Sequence, residues 1–175
     1  MRILLLLRHA KALPSSPHGD FDRQLAPRGW RQAEKFGRWL AEKSFAPDLV
    51  LASTARRASE TADAVMSVPG ASPERRNESA LYNAEAEGIL AIAQMAGAAA
   101  NVMIIGHNPG IAELALALAD DDDKPTRQKM ARKYPTCACA ILQFGTSGWN
   151  KLSLGTGKLL AYVTPASLDR AELDD

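Results

Sequence analysis

The stretch ILLLLRHAK, residues 3–11, decides how the rest of this chain is interpreted. Residues 3–7 form a continuous apolar run, which is typical of a strand buried on both faces of a parallel sheet. The run ends at Arg8 and His9, two side chains suited to chemistry at an anion. In open α/β sheets, ligands bind beyond the carboxyl ends of the strands. We therefore expect the first strand to bring Arg8 and His9 to such a site.

Two other short apolar runs, residues 48–52 and 102–105, are predicted to be buried strands as well. The first leads into Arg56 and Arg57, in the first turn of a predicted helix, and the second is followed by His107. Adjacent helical positions do not share a face, so one of the two arginines is expected to face solvent. Three strand ends thus direct imidazoles and guanidiniums to one edge of the sheet.

A phosphate pocket explains this set of residues. Arginine offers a rigid fork of donors for phosphoryl oxygens, and helix N-termini add unpaired N–H groups. Arginine in a first helical turn opposes the helix dipole, and an anion in front of the helix would offset that repulsion. Taken singly, Arg8 is compatible with a surface ion pair, His9 with a structural buried histidine, and His107 with a loop histidine. Their convergence favours the pocket, whereas His18, in a polar loop, is interpreted as a surface residue.

Paired histidines also raise the question of a metal site. Zinc requires a third ligand and no nearby cations, so Arg8 beside His9 argues against it, and no metal is expected. The acidic run at residues 120–123 lacks the spacing of a calcium loop and is predicted to be a solvated loop start. Cys137 and Cys139, two residues apart, are expected on one strand face as reduced core thiols.

Helical periodicity alternates with the strands along most of the chain. Four helices are predicted, over residues 27 to about 43, 55 to about 68, 85–99 and 111 to about 118. Ser53 and Thr54 are the candidate N-caps of the second. Residues 138–144 and 149–154 flank a four-residue hairpin turn, and a last extended piece is predicted over 159–163. The pattern predicts an α/β fold, a three-layer α/β/α sandwich around a mixed, mostly parallel sheet with a C-terminal hairpin. We expect residues 1–175 to form a single domain.

Composition restricts the partners. The formal net charge of +1 indicates neither nucleic acid nor an anionic membrane surface as a partner. The apolar run near the N-terminus is five residues long and is interrupted by Arg8, which is too short for a secretory signal. No apolar stretch approaches the ~18–20 residues of a spanning helix. A cytoplasmic protein is the resulting prediction.

Four motifs, in this order along the chain, resemble those of the histidine phosphatase superfamily, which has a phosphoglycerate mutase-like fold. The resemblance is to its short bacterial SixA-like phosphohistidine phosphatase branch. The motifs are LLRHA at residues 6–10, DRQLAPRG at 22–29, STARRASETA at 53–62 and GHNPG at 106–110. The third motif aligns Arg57, rather than Arg56, with the family's phosphate-binding arginine.

The resemblance implies that His9 attacks the phosphoryl group and forms a phosphohistidine intermediate that water hydrolyses. Arg8, Arg57 and His107 would neutralise the charge on the phosphoryl oxygens, with Asn108 as a further phosphate-binding residue. The attacking nitrogen must be unprotonated, so the other nitrogen of His9 needs an acceptor that sets the tautomer. No metal or organic cofactor is required, and a phosphate or sulfate anion is expected to bind in the pocket.

The acid that protonates the leaving group stays open between Asp20, Asp22 and Glu85. The loop carboxylates are also compatible with solvation or an ion pair, and Glu85 with a first helical turn where it stabilises the dipole. A protonated imidazole leaves readily, which favours protein phosphohistidine, for example on a phosphotransfer-type domain. Two alternatives are a small phosphorylated substrate, hydrolysed by a phosphomonoesterase of the same superfamily, and a non-catalytic phosphate- or phosphoprotein-binding module.

Overall fold

Six strands form one mixed sheet in the order β3-β2-β4-β1-β5-β6. The computed structural model describes residues 1–69 and 72–174, with side chains through residue 170. The strands are β1 (Arg2–Arg8), β2 (Leu49–Ser53), β3 (Glu74–Glu78), β4 (Asn101–Gly106), β5 (Cys139–Phe144) and β6 (Lys158–Val163). β1, β2, β3 and β4 are mutually parallel, and β5 runs antiparallel to both of its neighbours. The mostly parallel mixed sheet predicted from the sequence is confirmed.

Helices cover both faces of the sheet. They are α1 (Pro27–Glu42), α2 (Arg56–Met66), α3 (Ala86–Gln94), α4 (Gly110–Leu118), α5 (Lys124–Arg132) and α6 (Pro165–Asp174). α1 packs on α2 and α6 on one side, and α4 packs on α3 and α5 on the other. The three-layer α/β/α architecture is therefore confirmed.

β1 lies at the centre of the core and divides it into two. Leu4 and Leu6 pack into the cluster under α3 and α4, whereas Leu5 and Leu7 pack into the cluster under α1 and α2. All four leucine side chains are fully buried. Because successive side chains of a strand point to opposite faces, only an unbroken apolar run is compatible with helices on both sides.

The strand register sets the position of the site. Arg8 pairs with Gly106, and the His9 N–H extends the ladder by donating to the Gly106 carbonyl at 3.0 Å. On the other side of β4, Ala52 pairs with Ile105, so Ser53 ends β2 at the same level. The carboxyl ends of β1, β4 and β2 therefore lie side by side, as the strand-end argument requires.

The C-terminal hairpin differs from the prediction. β5 is where it was expected, but its antiparallel partner is β6, and residues 149–151 form a short 3-10 helix instead of a strand. Trp149 explains the difference, because its buried side chain packs in the core and its indole N–H donates to the Ala99 carbonyl at 2.7 Å. That packing anchors the connection between β5 and β6.

Several helix boundaries also differ from the prediction. α2 begins after Ala55 without a side-chain cap, so Ser53 and Thr54 are not its N-caps. α3 ends at Gln94, before Gly97 with its positive φ of 73°. α5 was not predicted; Asp123, the last residue of the acidic run, caps it by accepting from the Thr126 N–H at 3.1 Å.

Both cysteines are buried free thiols in the same core cluster, as predicted, but the expectation that they share one strand face was wrong. Cys139 begins β5, whereas Cys137 lies in the turn before it with a positive φ of 60°. Burial raises the pKa of Cys137 to about 12, which opposes thiolate chemistry there. No helix in residues 1–69 and 72–174 is long and apolar enough to cross a membrane.

Gly29 provides a test of how α1 is joined to the loop after β1. A Cβ at this position would lie 2.1 Å from the Lys11 carbonyl oxygen, which is backbone and has little freedom to move. We expect Gly29→Ala to lower the free energy of unfolding in urea by roughly 1–3 kcal/mol. Gly88→Ala is the matched control: a Cβ there meets only Ala84 Cβ at 3.9 Å, and alanine is expected to stabilise α3 slightly. Equal stabilities of the two variants would contradict this close approach.

Candidate active site

His9 is held in one orientation immediately after β1. Its ring Nδ1 lies 2.8 Å from the Ala10 carbonyl oxygen, and only 7% of the residue is exposed. A carbonyl can only accept, so this hydrogen bond requires a proton on Nδ1. Nε2 then carries the lone pair, which is the tautomer that a nucleophilic imidazole needs.

Thr61 on α2 joins the loop of His9 to the helix of Arg57. Its fully buried Oγ1 accepts from the Ala10 N–H at 2.9 Å and donates to the Arg57 carbonyl at 2.6 Å. The hydroxyl therefore serves as both donor and acceptor between two elements that are far apart in sequence. Ala10 and Arg57 cannot separate without breaking these bonds.

Arg57 lies against His9, and Arg56 points away. Only 4% of Arg57 is exposed, and its Nε donates to His9 Nε2 at 3.3 Å. Arg56 is exposed and pairs with Glu60 at 2.8 Å. Of the two adjacent arginines, the structure brings Arg57 to the strand-end pocket.

Arg8 and Asn108 share one acceptor at the edge of the pocket. Arg8 Nη1 and Asn108 Nδ2 each donate to the Tyr134 carbonyl oxygen at 2.9 Å. Arg8 Nε and Asn108 Oδ1 are buried without a hydrogen-bond partner among the described residues. Burial, followed by the nearby Arg57, lowers the pKa of Arg8.

His107 faces His9 across the pocket, with ring centroids 5.2 Å apart. Its Nε2 lies 2.8 Å from Ser53 Oγ, at the end of β2. Its Nδ1 is buried and has no partner in the described part of the chain. Ser53 therefore orients this ring, while one ring nitrogen stays free for a ligand.

The site keeps both imidazoles neutral. Burial, and then the positive Arg57 and Arg8 and the neighbouring His107, lower the pKa of His9 to about 3, against the opposing effect of its hydrogen bond to Ala10. Burial and then Arg57 lower the pKa of His107 to about 4. The causes are the expected ones, since burial and nearby cations both disfavour an imidazolium. An oxyanion in the pocket would reverse part of this effect.

Of the three acid candidates, only Asp20 reaches the site. Its carboxylate accepts from Arg57 Nη2 at 3.1 Å and from the Tyr82 hydroxyl at 2.9 Å, and its carbonyl accepts from Arg57 Nη1 at 2.7 Å. The Tyr82 hydrogen bond is the largest cause that lowers the pKa of Asp20 to about 2. Asp20 is therefore ionised at neutral pH.

Among the described residues, the other two candidates make no hydrogen bond or ion pair with Arg8, His9, Arg57 or His107. Asp22 accepts from Ser16 Oγ at 3.0 Å and lies 3.6 Å from Arg56. Glu85 is exposed and is the residue before α3, where its side chain makes no capping hydrogen bond. The interpretation of Glu85 as a first-turn residue of the helix was therefore wrong by one position. His18 is exposed, as expected.

Sequence reasoning missed four residues that shape the pocket. The Tyr82 ring packs edge-on against His107 at 5.6 Å and lies 6.0 Å from the Arg57 guanidinium carbon. Ser53 was considered only as a helix cap, and Thr61 only as part of a motif. The buried Tyr134 hydroxyl donates to the Leu6 carbonyl at 2.6 Å and so fixes its own backbone near Arg8. No periodicity or spacing in the sequence indicates these long-range contacts.

Comparisons with known proteins identify the family of this chain. The profile of the histidine phosphatase superfamily (branch 1) matches residues 4–81, and an uncharacterized protein of Mycobacterium leprae is 34% identical over 167 residues, covering 91% of this chain and 99% of the relative. The chain belongs to the histidine phosphatase superfamily. This is a family of phosphatases, and the resemblance inferred from the four motifs is confirmed.

Solved structures place this histidine phosphatase beside the SixA group. A candidate phosphohistidine phosphatase SixA from Nakamurella multipartitia has a TM-score of 0.82 and 31% identity, covering 94% of this chain and 96% of its own. A candidate SixA from Agrobacterium tumefaciens has a TM-score of 0.79 and 27% identity, covering 94% and 98% respectively. The SixA-like resemblance is supported along nearly the whole chain.

The low histidine pKa values of this histidine phosphatase predict how its stability depends on pH. An unfolded histidine binds a proton below pH about 6.5, whereas folded His107 and His9 do so only near 4 and 3. Above pH about 6.5 both histidines are neutral in the folded and the unfolded chain, and they cost the fold nothing. As the pH falls toward 3, the unfolded chain binds more protons than the folded chain, so the free energy of unfolding decreases. We expect each to lower the free energy of unfolding by on the order of 1–2 kcal/mol between pH 7 and pH 5.

Urea unfolding in phosphate-free buffer at both pH values measures this loss. His9→Asn should show a smaller decrease than the native chain, and His18→Asn, at an exposed loop position, is the matched control. The same pH dependence in all three proteins would show that His9 does not resist protonation in the folded state.

Asp20 is paired with Arg57 in the free protein, so we expect an anion that binds Arg57 to compete with this carboxylate. Removing its negative charge should strengthen the binding of inorganic phosphate, because the ligand no longer meets a carboxylate on Arg57. We expect Asp20→Asn to lower the Kd of phosphate by about three- to tenfold, as measured by titration calorimetry. Asp22→Asn is the control, since Asp22 contacts Arg56 instead. An unchanged or weakened affinity in Asp20→Asn would exclude this competition.

Proposed function

We propose that this chain is a phosphohistidine phosphatase that acts through a covalent phosphohistidine on His9. The observation that carries the proposal is the Nδ1 hydrogen bond of His9 to the Ala10 carbonyl, which leaves the lone pair on Nε2. Nε2 lies beside Arg57 in a pocket that also contains Arg8 and His107. A buried, neutral imidazole with cations around it is suited to attack a phosphoryl group.

In the first step, His9 Nε2 forms a bond to phosphorus while the bond from phosphorus to the leaving nitrogen breaks. The substrate imidazole, whose other ring nitrogen already carries a proton, takes the electron pair of that bond and leaves as a neutral imidazole. The proton on His9 Nδ1 stays in place and continues to donate to the Ala10 carbonyl. This hydrogen bond stabilises the positive charge that develops on the His9 ring. In the second step, water attacks phosphorus, phosphate is released, and Nε2 regains its lone pair.

The pocket contains hydrogen-bond donors for the phosphoryl oxygens of a substrate. Arg8 Nε is buried without a partner in the part of the chain that the structure describes, and Arg57 can exchange its bonds to Asp20 for bonds to an anion. Ser53 can donate its hydroxyl proton to His107 Nε2, because Ser53 Oγ also accepts from the Ala55 N–H at 3.3 Å. His107 Nδ1 would then carry a proton toward the phosphoryl group. Together these groups stabilise charge on the transferring phosphoryl, which is the main catalytic task in this chemistry.

The substrate assignment rests on the leaving group. Asp20 is the acid candidate nearest the pocket, and it is ionised at neutral pH with its oxygens engaged by Arg57 and Tyr82. Such a carboxylate is a poor proton donor for an alkoxide. An imidazole is a better leaving group and needs less assistance, so an N–P bond suits this pocket. The two SixA-type structural neighbours support the same choice.

Turnover by the native chain and by His9→Ala tests the proposal. The substrates are a phosphotransfer domain phosphorylated on histidine and p-nitrophenyl phosphate. We expect phosphate release from the phosphohistidine protein, and a loss of at least about 10³-fold in kcat for His9→Ala because the nucleophile is gone. His18→Ala, which replaces an exposed histidine, is the control and should retain turnover.

The outcomes separate the alternatives. Equal release by the native chain and His9→Ala would exclude His9 as the nucleophile. Hydrolysis of the ester without action on phosphohistidine would assign a small phosphomonoester as substrate. Phosphate binding with no turnover of either compound would indicate a non-catalytic binding module.

A further inference from the structure

A second cleft, of about 530 Å³, lies next to the catalytic pocket and has no role in the mechanism above. Its walls come from the loop after β1, the N-terminus of α1, the C-terminal part of α5 with the segment that follows, and the start of α6. Five basic side chains line it, and none of the lining residues is acidic: Lys11, Arg28, Lys129, Lys133 and Arg170. We call this feature the basic cleft.

The positive charges of the basic cleft have little compensation among the described side chains: Lys129 contributes to lowering the pKa of Asp123, which lies outside the cleft. All five basic residues are exposed, and none forms an ion pair within 4.0 Å among the residues whose side chains are described. The whole chain has a net charge of only +1, so these charges are a local concentration. Clustered like charges repel one another, and a ligand of opposite charge would remove that cost.

Backbone segments that line the basic cleft also lead to residues of the catalytic pocket. Lys11 lies two residues after His9. Pro135 and Thr136, which line the cleft, lie between Tyr134 and Cys137. The Tyr134 carbonyl accepts from Arg8, and the Cys137 N–H donates to the Arg8 and His9 carbonyls at 3.1 Å each. These contacts make the basic cleft a neighbour of the His9 pocket, so a protein held at His9 by its phosphoryl group could also contact the cleft.

We propose that the basic cleft docks an acidic segment of the phosphorylated protein substrate. This inference rests on the proposed function, because it assumes that the phosphoryl group is borne by a protein. Aspartate and glutamate side chains beside the phosphohistidine would meet Lys129 and Lys133 on one wall and Lys11 and Arg28 on the other. Charge complementarity of this kind selects partners and accelerates their association.

The distribution of charge favours a protein segment over a small anion. Sites for small ligands enclose them and place a few polar groups with fixed orientation. In the basic cleft, the cations are exposed side chains on four separate elements, and Pro135, Pro165 and Tyr162 supply apolar surface between them. The Tyr162 hydroxyl donates to the Lys133 carbonyl at 2.6 Å and so holds one wall in place. An extended segment can contact all of these groups together.

Two phosphohistidine peptides of equal length test the proposal, one flanked by Asp and Glu and the other by Asn and Gln. We expect the native chain to favour the acidic peptide by about tenfold in kcat/KM, through KM, and to lose the preference at high salt. The double variant Lys129→Gln/Lys133→Gln should reduce that ratio by about three- to tenfold. Lys151→Gln/Lys158→Gln, which removes two exposed lysines outside the basic cleft, is the matched control and should keep the ratio of the native chain.

A ratio near one in the native chain would overturn docking, as would equal losses on both peptides in the cleft variant. If neither phosphopeptide is hydrolysed while p-nitrophenyl phosphate is, the proposed phosphohistidine function fails, and docking is judged separately. Fluorescence anisotropy of the unphosphorylated acidic peptide then decides: weaker binding by the cleft variant than by the control supports docking, and equal binding overturns it. Tight binding of tripolyphosphate without binding of the peptide would assign the basic cleft to a small polyanion and overturn the proposal.

Discussion

The parallel pairing of β1 with β4 is the constraint on which the site depends. It sets Arg8 beside Gly106, so the residues that follow, His9 and His107, leave the sheet at the same level with ring centroids 5.2 Å apart. The buried run of β1 ends at Arg8, so a slip that moved this residue one position into the sheet would bury its charge, which makes that change of register costly. The chemistry at the sheet edge is thus positioned by apolar packing several residues away.

Positively charged side chains gather at that edge of the sheet, and neighbouring groups reduce the electrostatic repulsion between them. Arg57 is buried beside a neutral imidazole, where its guanidinium donates to His9 and to Asp20. The Asp20 carboxylate supplies a counter-charge in the free protein, and Tyr82 holds it in position. The same arrangement keeps both histidines unprotonated, which a nucleophile requires and which an anionic substrate would partly reverse. The described lining of the basic cleft includes no acidic residue, and its cations are exposed to solvent.

Much of the fold could be predicted from local sequence, since apolar runs and helical periodicity depend on neighbouring residues. β1, β2 and β4, α1 and the start of α4 all lie close to the predicted positions. The elements that were predicted wrongly depend on contacts between residues that are distant in sequence. Trp149 is packed in the core, so an expected strand is a short helix, and β6 takes its place as the partner of β5. Asp123 caps a helix that its polar composition did not indicate.

The sequence by itself determined the chemical types and the order of the residues at the strand ends: Arg8 with His9, Arg57 on a first helical turn, and His107 before α4. It did so because each lies at the end of a buried strand or a few residues beyond it, and strand ends in a parallel sheet meet at one edge. Only the tertiary structure decided which groups touch them. The hydrogen bond of His107 to Ser53, the bridge of Thr61 between Ala10 and Arg57, and the contact of Asp20 with Arg57 each join segments more than 35 residues apart. Contacts of this kind depend on how loops and helices pack, and no local pattern records them.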